Sequence, residues 1–197
     1  MELIQKKKST KLTFTFHDDY FNFAYKEKSG SGDLDFNYAD FPQKSSVQIE
    51  QNDWLRNVGF LWMALGIFQI AYALYAGDPL SGKGFWLFVG VVCVAWAHFS
   101  KIKYSVFRFE NGSVLIMQDK SHEIIVEEIN KRRKTQLLQW YGEVNPENEL
   151  SNEIQKFKWL TEQNIMSKEE SDKKIAEAEF LHNDNFSLPG ENPTKYN

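Results

Sequence analysis

The residues able to do chemistry are few and scattered. The four histidines, His17, His98, His122 and His182, stand far apart in the chain. None lies at zinc-ligand spacing from a cysteine or from another histidine. His17-Asp18-Asp19 is the one place where an imidazole and two carboxylates adjoin, a pattern that would serve a metal ion or an acid–base pair. Between two strand-like runs the same residues make a hydrophilic β-turn, and that is the reading taken. Cys93 is the single cysteine, so one chain can form no disulfide, which fits a cytoplasmic setting. The sequence holds no glycine-rich phosphate loop, nucleophile elbow or HExxH, and no internal repeat. It is read as non-enzymatic, with no cofactor, no metal and no small-molecule substrate.

One dense charge run remains, Lys131-Arg132-Arg133-Lys134. Basic clusters near a membrane attract anionic headgroups, at about 1 kcal/mol per residue close to the surface. On that reading these four side chains contact anionic lipid. The alternative, and the one preferred, is a solvated helix face answered by Glu123, Glu127 and Glu128. A net charge of −4 argues against nucleic acid as the main partner.

The elements that must position these residues are organised around the middle of the chain. Asn57 to Ala76 reads NVGFLWMALGIFQIAYALYA, and Gly84 to Ser100 reads GFWLFVGVVCVAWAHFS. Neither contains Asp, Glu, Lys or Arg, and only GDPLSGK separates them. About 20 helical residues cover about 30 Å, one bilayer core. The second segment is at the short end of the usual range. Trp54, Trp62, Tyr72, Tyr75, Trp86 and Trp96 lie in or near these segments, where amphipathic rings suit a lipid–water boundary. A soluble helix would show a polar face, and these show almost none. The expectation is a transmembrane helical hairpin within residues 54–101, with spans at about 57–76 and 84–100. The mean hydropathy of −0.49 reflects the polar segments on either side. Gly59, Gly66 and Gly90 offer small surfaces for close helix approach. His98, near the end of its segment, reads as an interfacial residue.

Lys44, Arg56, Lys101, Lys103 and Arg108 flank the pair, against Lys83 beside Asp78 in the turn. Positive flanks stay cytoplasmic, so both termini are expected there. The expected location is the cell inner membrane, multi-pass. MELIQKKKST has no apolar stretch behind its basic cluster and does not read as a secretory signal.

Before the hairpin, in residues 1–53, KLTFTF (Lys11 to Phe16), YFNFAY (Tyr20 to Tyr25), DLDFNY (Asp33 to Tyr38) and Ser46 to Glu50 alternate with period two. They predict a four-strand antiparallel meander with an aromatic inner face. After it, in residues 102–142, KYSVFRF (Lys103 to Phe109), Asn111-Gly112 and Val114 to Met117 predict a β-hairpin. HEIIVEEINKRRKTQLLQWY then predicts a helix with Ile125, Ile129, Leu137 and Tyr141 on one face, capped by Asp119 or Ser121 and ended by Gly142. Neither half can bury its apolar face alone. One cytoplasmic α+β domain, split by the hairpin, is the economical solution, with the membrane segments entering and leaving through adjacent strand ends.

The long glycine-containing loop, DFNYADFP before a strand, YSVFRFENGSVLIM and the amphipathic helix resemble bacterial pleckstrin-homology-like domains, in particular membrane-anchored versions of the YcxB-like type. The likeness runs from Lys11 to Tyr141 with the hairpin as an insert. It implies an antiparallel partial barrel with a C-terminal capping helix, and no catalytic residues. Six strands are read here against seven in that fold. A further strand within Glu2 to Lys8, or a reduced variant, would account for the difference.

In residues 148–180, Leu150, Ile154, Phe157 and Leu160 predict an amphipathic helix, Gln163 to Met166 a turn, and Ser167-x-x-Glu170 a capping box opening a second helix to about Phe180. This pattern resembles the short C-terminal helical hairpin of bacterial proteins called SHOCT, with Ser171 where a bulky apolar residue is usual. The resemblance implies docking or oligomerisation; a pair packed on its own domain is the alternative. Residues 181–197, rich in Asn, Pro and Gly, read as a disordered tail. The function expected is a membrane protein whose cytoplasmic domain binds a protein partner or a second copy, in envelope regulation, toxin immunity or defence. The alternatives are an anionic-lipid-sensing module and a small transporter subunit.

Overall fold

The computed structural model describes residues 1–110 and 112–186. Among them are seven strands and five α-helices, an α+β chain with two antiparallel sheets. The first sheet is a meander of β1 (Glu2–Lys7), β2 (Thr10–Phe16), β3 (Tyr20–Lys26) and β4 (Ser31–Asn37). The strand count is thus seven rather than six, and the additional strand is β1, within Glu2 to Lys8. ELIQKK does not announce itself by alternation, because of its residues only Gln5 is fully buried.

The second sheet holds β5 (Ser46–Glu50), β6 (Ile102–Phe109) and β7 (Gly112–Met117), in that order. Here the expected meander is corrected. β5 leaves the first sheet and pairs with β6, Glu50 opposite Ile102, on the far side of the helical hairpin in sequence. Its apolar residues Val47 and Ile49 are 63 % and 51 % exposed, so they contribute nothing to an inner face. β4 also ends at Asn37, and Tyr38 begins a single 3-10 turn to Asp40. β6 and β7 pair with Phe109 opposite Gly112; Asn111 lies outside the described residues.

One aromatic-rich core draws on both sides of the hairpin: Phe14, Phe21, Phe23 and Phe36 from the first sheet, Tyr104, Phe107, Val114 and Ile116 from the second. Phe41–Phe107 and Phe36–Phe109 close one edge, each with ring centroids 4.4 Å apart. At the opposite edge the closure is polar. The Gln5 amide donates to Met117 O and accepts from Met117 N, both at 2.8 Å, and also donates to Asp119 Oδ1 at 2.7 Å. One side chain there replaces a ladder step between β1 and β7.

α3 (His122–Tyr141) covers this core through Ile125 and Ile129. Asp119 supports its start, accepting from Ser121 N at 2.9 Å, while the Ser121 side chain makes no cap. α4 (Leu150–Glu162) and α5 (Lys168–Phe186) form a helical pair. Leu137 of α3 packs with Phe157, Leu160, Ile165 and Met166 in a second apolar cluster. The capping box is reciprocal: Ser167 N donates to Glu170 Oε2 at 2.9 Å and Glu170 N to Ser167 Oγ at 3.2 Å. α5 continues to Phe186, so the reading of residues 181–197 as a disordered tail is corrected for its first six residues. Residues 187–197 lie outside the described residues.

α1 (Asp53–Ala76) and α2 (Phe85–Phe99) run antiparallel between β5 and β6. The buried residues of α1 are Gly59, Gly66 and Ala73, and of α2 Gly90 and Ala97. Small residues seven apart make one seam on each helix. A Cβ at Gly66 would stand 2.7 Å from Leu87 Cα, and one at Gly90 2.6 Å from Gly59 O; only glycine permits this approach. Trp62 and Trp86 stack beside the seam with centroids 4.1 Å apart. Among the described residues α1 alone is long and apolar enough to cross a membrane, by length and composition. α2 has 15 residues, about 22 Å at 1.5 Å per residue. Gly84 and Ser100 flank it rather than lengthening it, which shortens the expected 84–100 span.

Two expectations follow. Gln5→Ala leaves the buried Met117 N–H without its partner, while Met117 O keeps the bond from Asp119 N at 2.8 Å, and should cost about 1–2 kcal/mol, read as a fall in Tm. Glu153 of α4 is fully buried and accepts from Asn145 N, Asn148 Nδ2 and Lys156 Nζ at 3.1, 2.7 and 2.7 Å. Burial pushes its carboxyl up, but the bonds from Lys156, Asn148 and the Asn145 amide together hold it below its ordinary value. A folded value below the unfolded one gives stability that is present above the ordinary glutamate range, about 4.3, and lost as pH falls through the lower folded value. Trp159 fluorescence should report acid release of α4, and Glu153→Gln should weaken that pH dependence.

Candidate functional site

Strand β6 and the first turn of α3 bring Ser105 to the adjacent pair His122-Glu123. His122 Nε2 lies 2.8 Å from Ser105 Oγ, and His122 Nδ1 lies 2.8 Å from Glu123 Oε1. The order hydroxyl, imidazole, carboxylate is that of an activated nucleophile. The surroundings oppose that use. Ser105 is 4 % exposed, sits in the middle strand of its sheet, and also accepts from Gln118 Nε2 at 3.2 Å. An acyl carbon could reach Oγ only if α3 lifted away. What the chain of bonds does is pin the start of α3 to β6. No sequence motif announces it, since Ser105 lies 17 residues from His122.

His17-Asp18-Asp19 forms the turn expected of it: His17 N donates to Tyr20 O at 3.0 Å, and the His17 ring stacks on Tyr20 at 4.5 Å. Its backbone carbonyls hold the helix. His17 O accepts from Tyr38 Oη at 2.7 Å and Arg132 Nη1 at 2.8 Å, and Asp19 O accepts from Gln136 Nε2 at 2.6 Å. Asp18 and Asp19 line an open cleft of about 350 Å³ with Glu128, Lys131, Arg132 and Thr135. Among the described residues no three His, Cys, Asp or Glu side chains converge as a metal site.

The basic run divides by position on α3. Arg132 pairs with Glu128 Oε1 at 2.7 Å, bonds His17 O, and lies 5.8 Å from the ring centroids of Phe16 and Tyr38. Arg133 is 6 % exposed and donates through Nη2 to Gln163 Oε1 at 2.7 Å and through Nη1 to Gln163 O at 3.4 Å. Its Nε has no partner, and burial lowers its pKa. Lys131 and Lys134 are exposed. The expected solvated face therefore holds for the two lysines; Arg132 is half-buried and answered by Glu128, one of the three acids expected to do so, and Arg133 is buried. Both arginines are engaged in intramolecular contacts, so of the four proposed lipid contacts Lys131 and Lys134 are the fully exposed ones. The sequence signal for this was available: Arg133 falls four residues after Ile129 and four before Leu137, in the buried stripe.

At the far end of α3, Trp140, Tyr141 and Trp159 make an exposed aromatic cluster, with Tyr141 edge-on to Trp140 at 6.2 Å and to Trp159 at 5.9 Å. The helix-face reading placed Tyr141 with the buried stripe; it is 41 % exposed. No family model, curated protein or solved structure matches the chain.

Arg132→Met removes an ion pair, a backbone bond and two ring contacts, and should cost about 1–2 kcal/mol. Lys131→Gln and Lys134→Gln should change stability by less than about 0.5 kcal/mol. Thermal melts of the three variants under one condition check the division.

Proposed function

We propose that the chain is a membrane-anchored, non-enzymatic interaction module. In this reading α1 and α2 insert in the inner membrane, and the two-sheet body sits at the cytoplasmic face, where it binds a protein partner or a second copy of itself. The observation that carries the reading is the outer surface of the helical pair. Phe60, Leu61, Phe68, Tyr72, Leu74 and Tyr75 of α1 are more than half exposed, while its only fully buried residues are Gly59, Gly66 and Ala73, packed toward α2. Water tolerates no apolar face of that extent on a monomer; lipid does. A 15-residue α2 is short for a full span, and tilt or local thinning accommodates such a mismatch at modest cost.

The likeness to a pleckstrin-homology-like domain of the YcxB-like type draws support from the count of four strands, three strands and a covering helix. The SHOCT likeness of α4 and α5 draws support from the reciprocal capping box and the turn at Asn164, which has φ +56°. Binding of a protein is favoured by the exposed Trp140–Tyr141–Trp159 cluster, because Trp and Tyr dominate interface energetics. Regulation of the envelope, toxin immunity and defence are the processes such a module would serve. A transporter subunit is the weaker reading, since the α1–α2 seam is filled by small side chains.

Topology reporters test the anchor. A fusion at Pro79 should report the periplasm and fusions at either terminus the cytoplasm. A cytoplasmic Pro79 would overturn the two-span topology and leave a re-entrant hairpin.

A further inference from the structure

We propose that the end of the body from which the helical hairpin emerges is a basic collar that binds the anionic lipid headgroups around its own anchor. The proposal rests on the membrane-inserted reading of α1 and α2, and adds a surface that the run at residues 131–134 does not supply.

Strand register builds the collar. Lys6 of β1 stands opposite Lys11 of β2, and Lys11 opposite Lys26 of β3. Directly opposed residues on antiparallel strands project from the same side, so three lysines form a row across three strands. All three are exposed, and Leu12 beside Lys11 is buried, which places the row on the outer face. Like charges directly opposite one another destabilise a sheet. Two such pairs in succession make a row that an external anion would relieve.

The turns carry the charge to the anchor. Lys7 Nζ donates to Lys101 O at 2.8 Å, joining the β1–β2 turn to the chain between α2 and β6. Lys8 and Lys28 line one depression with Glu50, Gln51, Asn52 and Asp53, the stretch that leads from β5 into α1. Lys103 is exposed on β6, opposite Ile49 of β5 and next to Ile102, the partner of Glu50. The base of the hairpin is therefore ringed by eight lysines, against the carboxylates Glu27, Glu50, Asp53 and Asp119 on the same turns and ends, Asp119 accepting from Gln5 Nε2 at 2.7 Å, in a chain of net charge −4. Glu50 accepts from Tyr104 Oη at 3.0 Å and Asp53 pairs with Arg56 at 3.0 Å. None of the eight lysines has an ion-pair partner among the described residues.

The occupant follows from the tether. A lysine surface at the foot of a membrane anchor is held at short range from headgroups and meets them before any soluble partner. The collar lines no enclosed pocket, so it reads charge rather than headgroup shape. Its consequence is orientation: the body lies down on an anionic leaflet and stands free of a neutral one.

The test uses the full chain in nanodiscs of phosphatidylcholine alone or with about one third phosphatidylglycerol, with trace acetylation of lysines read by mass spectrometry. Lys6, Lys8, Lys11, Lys26 and Lys28 should be protected several-fold in the anionic discs only, and the protection should vanish near 1 M salt, where the screening length is about 3 Å. Lys131 and Lys134 serve as internal controls and should not respond. The triple variant Lys6→Gln, Lys11→Gln, Lys26→Gln should keep its fold and lose the protection of Lys8 and Lys28. Equal labelling in both lipids, or equal protection in both, overturns the collar. Alkaline carbonate extraction of native membranes separates the two readings. A chain that resists extraction but shows no lipid-dependent protection keeps its anchor and loses the collar; a chain that is extracted loses both.

Discussion

The pairing of Glu50 with Ile102 carries the architecture. It joins two strands of one sheet across an excursion of about fifty residues. For a flexible loop that length adds roughly 3 kcal/mol over a two-residue turn, at about 0.6 kcal/mol per doubling. The excursion is not flexible, because the α1–α2 seam already brings its ends together. Strands lie about 4.8 Å apart, whereas packed helix axes lie about 8–10 Å apart. Only Gln51-Asn52 on one side and Ser100-Lys101 on the other absorb the difference. Glycines at 59, 66 and 90 pull the helices toward the closer end of that range. The seam and the ladder are therefore one constraint, and a bulky substitution in the seam would be felt at the sheet.

The two sheets share no backbone ladder, so side chains must hold them face to face. They do so by different means at each edge. Between β4 and β6 the closure is a run of phenylalanines, nondirectional and tolerant of small shifts. Between β1 and β7 it is the Gln5 amide, whose oxygen and nitrogen match the N–H and C=O of a single residue, Met117. A directional bond at one edge fixes the register that an aromatic contact at the other would leave free to slide. α3 then clamps the assembly through Ser105–His122 at its start and through Arg132 and Gln136 further along, so these polar side chains fix its position on the sheets.

Much of this was legible. Period-two alternation located β2, β3, β6 and β7, and the absence of charge over two long runs located α1 and α2. Three things were not. β1 is an edge strand with a polar central residue, so alternation has nothing to report, and only the strand count of the resembled fold points to it, as one of two accounts. The partner of β5 cannot be read from composition, because register across fifty residues is set by the tertiary seam rather than by any local turn. Helix α5 runs past Phe180 through His182, whose ring contacts Ala178 O at 3.0 Å and Asn148 O at 2.7 Å. That tertiary anchor extends the helix into a segment whose composition argues for a loop.

The basic run on α3 shows why a cluster in sequence need not be a cluster in space. Successive helical residues project about 100° apart, so four in a row cover every side of the helix. Position 133 continues the stripe of Ile125, Ile129 and Leu137 and must be buried; position 132 meets the β2–β3 turn; positions 131 and 134 look outward. In a strand pair the opposite holds. Lys6, Lys11 and Lys26 are separated in sequence, yet antiparallel register sets them side by side on one face. Charge density that matters to a flat partner such as a leaflet therefore arises from the sheet, where the sequence looks unremarkable, and is dispersed on the helix, where the sequence looks most basic.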